Sequence, residues 1–200
     1  PPPLPSFFLI FWLPPISSLY LFLAHQIQPF TEVIVGCMTD PGGMMPIPLL
    51  NCIPIVADVA PNSLSPGVEQ IEELITPFTS AIVVAHIAGY SADIESIVNM
   101  AKRYDIPVIE DCAQAHGAQL NGKYVGTFGD VAVISTMSGK HMNTGSQGGV
   151  VYTGSETLYQ QCRRASDRGK PFFLPEQSTN DTASLNLNLG DMASAIGLVQ

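Results

Sequence analysis

Charged side chains are scarce in this chain of 200 residues, and basic ones are the scarcest. Charged residues make up 12% of the sequence, with 8 Lys and Arg against 17 Asp and Glu, so the formal net charge is −9. Nucleic-acid phosphates are bound by clustered Lys and Arg, whereas the basic residues here are scattered. We therefore exclude nucleic acid as a partner. An apolar content of 46% also excludes an intrinsically disordered chain.

Several sequence motifs of metal-dependent, nucleotide-binding and hydrolytic enzymes are also missing. The four cysteines form no CxxC pair and match no zinc-binding spacing, so we expect no metal site. We interpret them as reduced and mostly buried thiols of a cytoplasmic protein. GxxxxGK[ST] is absent, and no GxGxxG follows a predicted strand. GxSxG and HExxH are absent too, which disfavours the hydrolases that carry them.

The N-terminal 31 residues contain no charge and seven prolines. Their two apolar runs, at 7–13 and 19–24, together approach the length of a membrane span, but prolines and serines at 14–18 interrupt them. A secretory signal peptide would need a basic start, which this segment lacks. We interpret residues 1–31 as an atypical Pro-rich apolar segment preceding a domain at 32–200, with no membrane association. A weak membrane anchor is the alternative.

From residue 32 onward, strand-like and helix-like patterns alternate. Short apolar runs bounded by turn residues predict strands at 32–36, 53–59, 81–86, 107–111, 131–135 and 149–153. Between them, helical spacing predicts helices capped by Ser65, Ser91 and Ser155, and a last helix beginning near Gly190. Because the strands are continuously apolar, we predict an α/β fold: a mainly parallel, mixed sheet flanked by helices.

Polar residues stand at the ends of three predicted strands, where such sheets bind ligands: His86, Asp111 and Ser135. Lys140 follows in a loop. A lysine near a buried carboxylate and a hydroxyl suits pyridoxal 5'-phosphate, because the amine forms a Schiff base and the carboxylate keeps the pyridine nitrogen protonated. Each residue alone has a commoner explanation, such as a helix cap or a solvated surface position. The prediction depends on their combination. We interpret His86 and His116 as structural.

The whole of residues 32–200 resembles the DegT/StrS-type sugar aminotransferases, which are pyridoxal-phosphate enzymes of fold type I. The segments that carry the resemblance are EVIV at 32–35, ITPFTSAIVVAHIAG at 75–89, PVIEDCAQAHGA at 107–118, VGTFGDVAVIS at 125–135, GKHMNTGSQGG at 139–149 and NLNLGDMASAIGLVQ at 186–200. The resemblance implies that 32–200 is an incomplete large cofactor-binding domain, because relatives continue into a smaller C-terminal domain.

The resemblance also assigns roles to residues. Lys140 matches the lysine that binds the cofactor and moves the proton, and Asp111 matches the partner of the pyridine nitrogen. Gln114 matches a residue beside the ring and its phenolic oxygen, and Ser135 a phosphate ligand. Asn188 matches a position that reaches the partner subunit's phosphate in some members, which implies a homodimer with shared sites. The neighbouring asparagine at 186 is the alternative.

Three positions depart from the family pattern. The phosphate-binding GT-x-A turn should lie where residues 14–18 stand, Asp40 stands where an aromatic residue often covers the cofactor, and Gln147 replaces a common glutamate.

The implied activity is pyridoxal-phosphate-dependent transamination of a nucleotide-linked keto sugar, with an amino acid such as glutamate as donor. A sugar dehydratase is one alternative. Related dehydratases replace the lysine with histidine, whereas here Lys140 is retained and His141 follows it. The other alternative is a cofactor-binding or regulatory relative without turnover, which the unusual N-terminal segment and Asp40 motivate.

Overall fold

A seven-stranded sheet forms the centre of the computed structural model, which describes residues 8–11, 27–170 and 184–200. The strands of this sheet are β1 (Phe8–Phe11), β2 (Glu32–Gly36), β3 (Ile53–Ala57), β4 (Thr79–Ala85), β5 (Val108–Asp111), β8 (Val131–Ser135) and β9 (Gly149–Tyr152). Two short strands, β6 (Gln119–Leu120) and β7 (Lys123–Tyr124), pair separately. Most of the predicted N-terminal segment, with positions 14–18, lies outside the described residues.

The strands of the large sheet lie in the order β1, β9, β8, β5, β4, β2, β3. The five strands from β8 to β3 are parallel to one another. Strand β9 runs antiparallel to β8, and β1 runs antiparallel to β9. The predicted α/β fold with a mainly parallel, mixed sheet is confirmed. The carboxyl ends of β4, β5 and β8 meet at one edge, as the site prediction requires.

The described residues include six helices: α1 (Pro41–Met44), α2 (Pro46–Leu49), α3 (Val68–Glu72), α4 (Ile94–Lys102), α5 (Glu156–Ser166) and α6 (Asp191–Val199). A 3-10 turn at Ile87–Gly89 follows β4. No helix among the described residues is long and apolar enough to span a bilayer.

Two of the three predicted serine caps are wrong. Ser155 caps α5 as predicted, because its Oγ accepts the N–H of Leu158 at 3.3 Å. The residue before α3 is Gly67 and the residue before α4 is Asp93. Both remaining serines instead donate to carbonyls at 2.8 Å, Ser65 to Ala85 and Ser91 to Ala92. A serine hydroxyl can accept from a backbone N–H, as in a helix cap, or donate to a carbonyl oxygen. At both of these positions it donates to a carbonyl oxygen.

Strands β5 and β9 are each one residue shorter than predicted, and β3 is two residues shorter. Strand β3 ends at Ala57 instead of continuing to residue 59. The Asp58 carboxylate accepts the N–H of Val59 at 2.8 Å, and such a local bond turns the chain away from the sheet.

Hydrophobic residues fill both faces of the sheet. On one face, Val33 and Val35 pack in a cluster with Cys162 and Ala165 of α5. On the other, Ile34 packs in a cluster that includes much of α4. Successive residues of a strand point to opposite faces, so a strand covered on both faces is apolar at every position.

All four cysteines are free thiols, and Cys52, Cys112 and Cys162 are buried while Cys37 is exposed. This agrees with the prediction of reduced, mostly buried cysteines. Burial raises the pKa of Cys162 to about 12.

A close backbone approach before β8 gives a test of the fold. A Cβ on Gly129 would lie 2.6 Å from the Val108 carbonyl oxygen. We expect Gly129→Ala to lower the free energy of unfolding by roughly 1–3 kcal/mol, since a rigid backbone atom must move. Urea unfolding followed by circular dichroism measures this.

The matched control is Gly190→Ala. A Cβ at that position has no atom within 4 Å, and φ is −71°. We expect a change of about 0.5 kcal/mol or less for the control. An equal loss in the free energy of unfolding for the two variants would contradict the close backbone approach at Gly129.

Candidate active site

Asp111 ends β5 with a buried side chain, only 6% exposed. Its Oδ1 accepts the N–H of Ala113 at 2.9 Å. No hydrogen bond from the described residues reaches Oδ2. Asp111 therefore offers one buried carboxylate oxygen to a ligand.

A small concave pocket lies beside Asp111 at the ends of β4 and β5. Its lining residues are Thr39, Asp40, Ala85, His86, Ile87, Asp111, Ala113 and Gln114. Gln114 uses its Oε1 to accept the N–H of Ala88 at 2.9 Å, so the NH₂ group is the part left for a ligand. Two of the five predicted site residues, Asp111 and Gln114, thus share this pocket.

Lys140 lies in the loop after β8, where its backbone N–H donates to the Met137 carbonyl at 2.9 Å. The residue is half-buried, and its side-chain amine takes part in none of the hydrogen bonds and ion pairs found among the described residues. The lysine charge acts to lower the pKa of Asp111, so the amine is within electrostatic reach of that carboxylate. The structure therefore places Lys140 and Asp111 in one electrostatic environment.

Ser135 is the last residue of β8 and is fully buried. Its Oγ accepts the N–H of Met137 at 3.4 Å, and its carbonyl oxygen accepts from His116 Nε2 at 2.7 Å. The hydroxyl hydrogen has no acceptor among the residues described. The bond to Ser135 supports the structural interpretation of His116.

The contacts that the structure shows for Asn188 are with its own neighbourhood and not with the other predicted site residues. Its side-chain NH₂ donates to Asn186 Oδ1 at 3.0 Å, and the side chain also hydrogen-bonds Asp167. None of the contacts described for Asn188 is with the pocket beside Asp111. Its predicted role at a partner subunit stays a prediction.

Two pocket features escaped the sequence analysis. Thr39 Oγ1 is buried without a hydrogen-bond partner, next to Gly43. A Cβ on Gly43 would clash with that oxygen and would lie 3.2 Å from Asp111 Oδ2. The missing side chain keeps Asp111 Oδ2 accessible. The Asp40 carboxylate accepts the N–H of Gly42 at 2.8 Å. Asp40 therefore caps the N-terminus of α1.

A buried network beside the pocket was also missed, although a glutamate inside an apolar strand was a visible signal. His86, Glu110 and Cys112 bring their metal-ligating atoms within 4.8 Å of one another. However, the nitrogens of His86 and the oxygens of Glu110 already take part in hydrogen bonds. We describe the group as a hydrogen-bond network.

The pKa of Asp111 is raised above its usual value. Burial is the largest cause; the Ala113 N–H and the Lys140 charge oppose it without cancelling it, and Asp40 adds to it. A raised folded-state pKa means that stability falls as the pH rises from the unfolded pKa through the folded one. At neutral pH the ionised Asp111 therefore destabilises the protein, as expected for a residue built to meet a cationic ligand.

A sequence profile of the DegT/DnrJ/EryC1/StrS aminotransferase family matches residues 18–200. The chain belongs to this family. The predicted resemblance to sugar aminotransferases is confirmed.

Two of the curated relatives have names that contain a nucleotide sugar. The chain is 37% identical to the GDP-perosamine synthase of Escherichia coli O157:H7 over 178 residues, 89% of this chain and 48% of the relative. It is 33% identical to a UDP-N-acetyl-3-dehydro-alpha-D-glucosamine 3-aminotransferase of Acidithiobacillus ferrooxidans over 173 residues, 86% of this chain and 46% of the relative. The chain thus spans about half the length of these relatives.

The fold is that of solved aminotransferase structures. The aminotransferase from Psychrobacter cryohalolentis superimposes with a TM-score of 0.91 at 28% identity, covering 97% of this chain and 51% of that one. The prediction of a fold type I aminotransferase is confirmed.

The residues present fit the cofactor that an aminotransferase needs. The pocket offers a free carboxylate oxygen on Asp111, an unpartnered hydroxyl on Thr39 and an amide NH₂ on Gln114. Lys140 adds a partnerless primary amine within electrostatic reach. Pyridoxal phosphate needs a carboxylate for its pyridinium nitrogen, polar groups for its oxygens and an amine for its aldehyde. The residues named here supply these groups.

The raised pKa of Asp111 gives a test on the cofactor-free protein. We expect Asp111→Asn to leave the free energy of unfolding at pH 7 equal to or above that of the wild type, because the amide keeps the bond to Ala113 and removes the buried charge. Urea unfolding at pH 5 and pH 7 measures the change. The control, Asp93→Asn, alters an exposed aspartate without a side-chain cap bond. A large loss of stability at pH 7 in Asp111→Asn alone would contradict the assigned direction.

Proposed function

We propose that the protein transfers an amino group from an amino acid such as glutamate to a nucleotide-linked keto sugar, with pyridoxal 5'-phosphate as cofactor. The observation that carries this proposal is the pairing of Asp111 with Lys140. One is a buried carboxylate with a free oxygen, and the other is a partnerless amine close enough to influence its pKa.

The substrate class comes from the relatives. One matched relative is named for a GDP-sugar product and another for a UDP-sugar substrate, and both belong to the aminotransferase family that this chain joins. Two relatives with different nucleotides and sugars support the class, a nucleotide-linked keto sugar, and do not distinguish its members.

Pyridoxal phosphate, when bound, supplies an electron-accepting ring that stabilises negative charge on the amino acid's α-carbon. The carboxylate of Asp111 would hold the pyridine nitrogen in its protonated form. The amine of Lys140 would bind the cofactor aldehyde and would serve as the general base and general acid that moves the proton. The partnerless state of its amine leaves it free for both tasks.

Two further residues orient the cofactor in this proposal. Gln114 already uses its carbonyl oxygen on the N–H of Ala88, so its NH₂ group would be the donor for the phenolic oxygen of the ring. Ser135 would donate its hydroxyl hydrogen to the phosphate, since its Oγ already accepts the N–H of Met137. The Ala88 and Met137 contacts fix the orientation of both side chains before the cofactor arrives.

The remaining assignments concern the assembly. We propose a homodimer in which Asn188 reaches the phosphate site of the partner subunit, and a large cofactor-binding domain from residue 32 to residue 200. A cytoplasmic location stays a prediction, supported by four unpaired thiols.

Attachment of the cofactor to one lysine is the direct test of the proposal. We expect pyridoxal phosphate to give a visible absorbance band with the chain, and borohydride reduction to label the peptide that contains Lys140. Lys140→Arg keeps the charge and removes the nucleophile, so its labelling at that peptide should vanish. Peptide mass mapping measures the label. Lys102→Arg, on the exposed end of α4, is the matched control and should label normally.

Addition of glutamate to the protein with bound pyridoxal phosphate separates the functional alternatives. For an aminotransferase, we expect the visible band to change with formation of 2-oxoglutarate, and a keto-sugar nucleotide to gain an amino group detectable by mass. A deoxy product would indicate a dehydratase. A band that ignores every amino donor would indicate a cofactor-binding protein without turnover.

A further inference from the structure

A glutamate next to Asp111 has all its acceptor positions in use, although it is fully buried. Glu110 Oε1 accepts the N–H of Phe128 at 2.8 Å and of Gly129 at 2.6 Å, and Oε2 accepts the N–H of Gly126 at 2.6 Å. His86 Nε2 lies 3.1 Å from Oε2. Burial acts to raise the pKa of Glu110, but the bonds from His86 and the loop N–H groups outweigh it and lower the pKa. Glu110 is therefore an anion held by four donors.

The partners of His86 select one protonation state of its ring. The side chain of His86 is buried, and its Nδ1 accepts the N–H of Ala92 at 3.2 Å. A nitrogen that accepts cannot carry a proton, so the ring proton is on Nε2 and is donated to Glu110. The two contacts together fix the neutral Nε2–H tautomer.

His86 is also part of the pocket wall. Its backbone N–H donates to the Asp111 carbonyl at 3.0 Å, and the residue lines the pocket together with Asp111 and Gln114. Two residues further on, Ala88 donates its N–H to Gln114 from a left-handed conformation with φ 54° and ψ 26°. Such a backbone persists in a residue other than glycine only where its surroundings hold it.

We propose that Glu110 is a positioning residue for the cofactor: by fixing the Nε2–H tautomer of His86, it fixes the pocket wall that aligns Asp111 and Gln114 with the pyridine ring. The inference rests on the proposed pyridoxal-phosphate function. Glu110 itself touches no cofactor atom, because it points to the face of the sheet opposite Asp111. Its effect passes through His86 and the turn that follows.

Glu110→Gln is a selective change because it keeps the size of the side chain. An amide has one acceptor oxygen, so it can serve the N–H groups of Phe128 and Gly129 or those on the other side, but not both pairs. If its NH₂ faces His86, the ring must expose an unprotonated Nε2 and place its proton on Nδ1, where it meets the N–H of Ala92. At least one N–H group is left without an acceptor in every arrangement, and the pocket wall must move.

The experiment measures the dissociation constant and the absorbance maximum of bound pyridoxal phosphate for the wild type, Glu110→Gln and a control, Glu73→Gln. Glu73 is exposed and undergoes the same isosteric change. We expect Glu110→Gln to bind about 10-fold or more weakly, with a displaced absorbance maximum. We expect the control to stay within about twofold of the wild type. Circular dichroism establishes that each variant is folded.

A second measurement needs no substitution at Glu110. Nitrogen-15 spectra of the histidine rings of the wild type at pH 7, without cofactor, should show a protonated Nε2 and an unprotonated Nδ1 for His86. The His86→Gln variant identifies its signal among the four histidines. This measurement decides the tautomer even if Glu110→Gln fails to fold.

Two results would overturn the inference. One is a folded Glu110→Gln protein that binds pyridoxal phosphate as tightly as the wild type with an unchanged absorbance maximum. The other is a His86 ring that is protonated on Nδ1. If the wild type itself binds no pyridoxal phosphate, the proposed function is wrong, and the nitrogen spectra still decide whether Glu110 fixes the tautomer.

Discussion

Two adjacent carboxylates at the end of β5 set the character of the site. Glu110 and Asp111 are both buried, and they point to opposite faces of the sheet. Glu110 accepts from four hydrogen-bond donors, whereas Asp111 accepts from one. The hydrogen-bonding capacity of Glu110 is therefore filled by the protein, and that of Asp111 is not. A buried carboxylate without enough donors is costly, and it is tolerated where a ligand supplies the missing charge.

The parallel sheet explains why these groups can act together. Strands β4, β5 and β8 are neighbours, so the residues at or just beyond their ends, His86, Asp111 and Ser135, reach one edge although 49 positions separate the first from the last. Loops that follow this edge then bring Gln114 and Lys140 toward it. The strands form a rigid support, and the loops supply the groups that must contact a substrate.

The sequence predicted structure well where a residue type has one main role, as apolar residues do in a buried strand. Continuous apolar runs predicted the central strands, because a strand buried on both faces has few polar positions. The serines were less informative, since Ser155 caps a helix while Ser65 and Ser91 bond carbonyl oxygens instead. A hydroxyl both donates and accepts, so its partner depends on which group the fold places nearby. The cap of α5 was predictable, and the other two were not.

The sequence by itself determined the fold class, the family, and the identity of the lysine and the aspartate that suit pyridoxal phosphate, because these follow from local patterns and motif order. Only the tertiary structure decided that Asp111 keeps an open oxygen, that Gln114 is oriented by Ala88, and that Glu110 fixes His86. The reason is that a hydrogen-bond partner is a matter of distance in space. Glu110 and its donors, which lie just after β4 and before β8, are 16 to 24 positions apart along the chain.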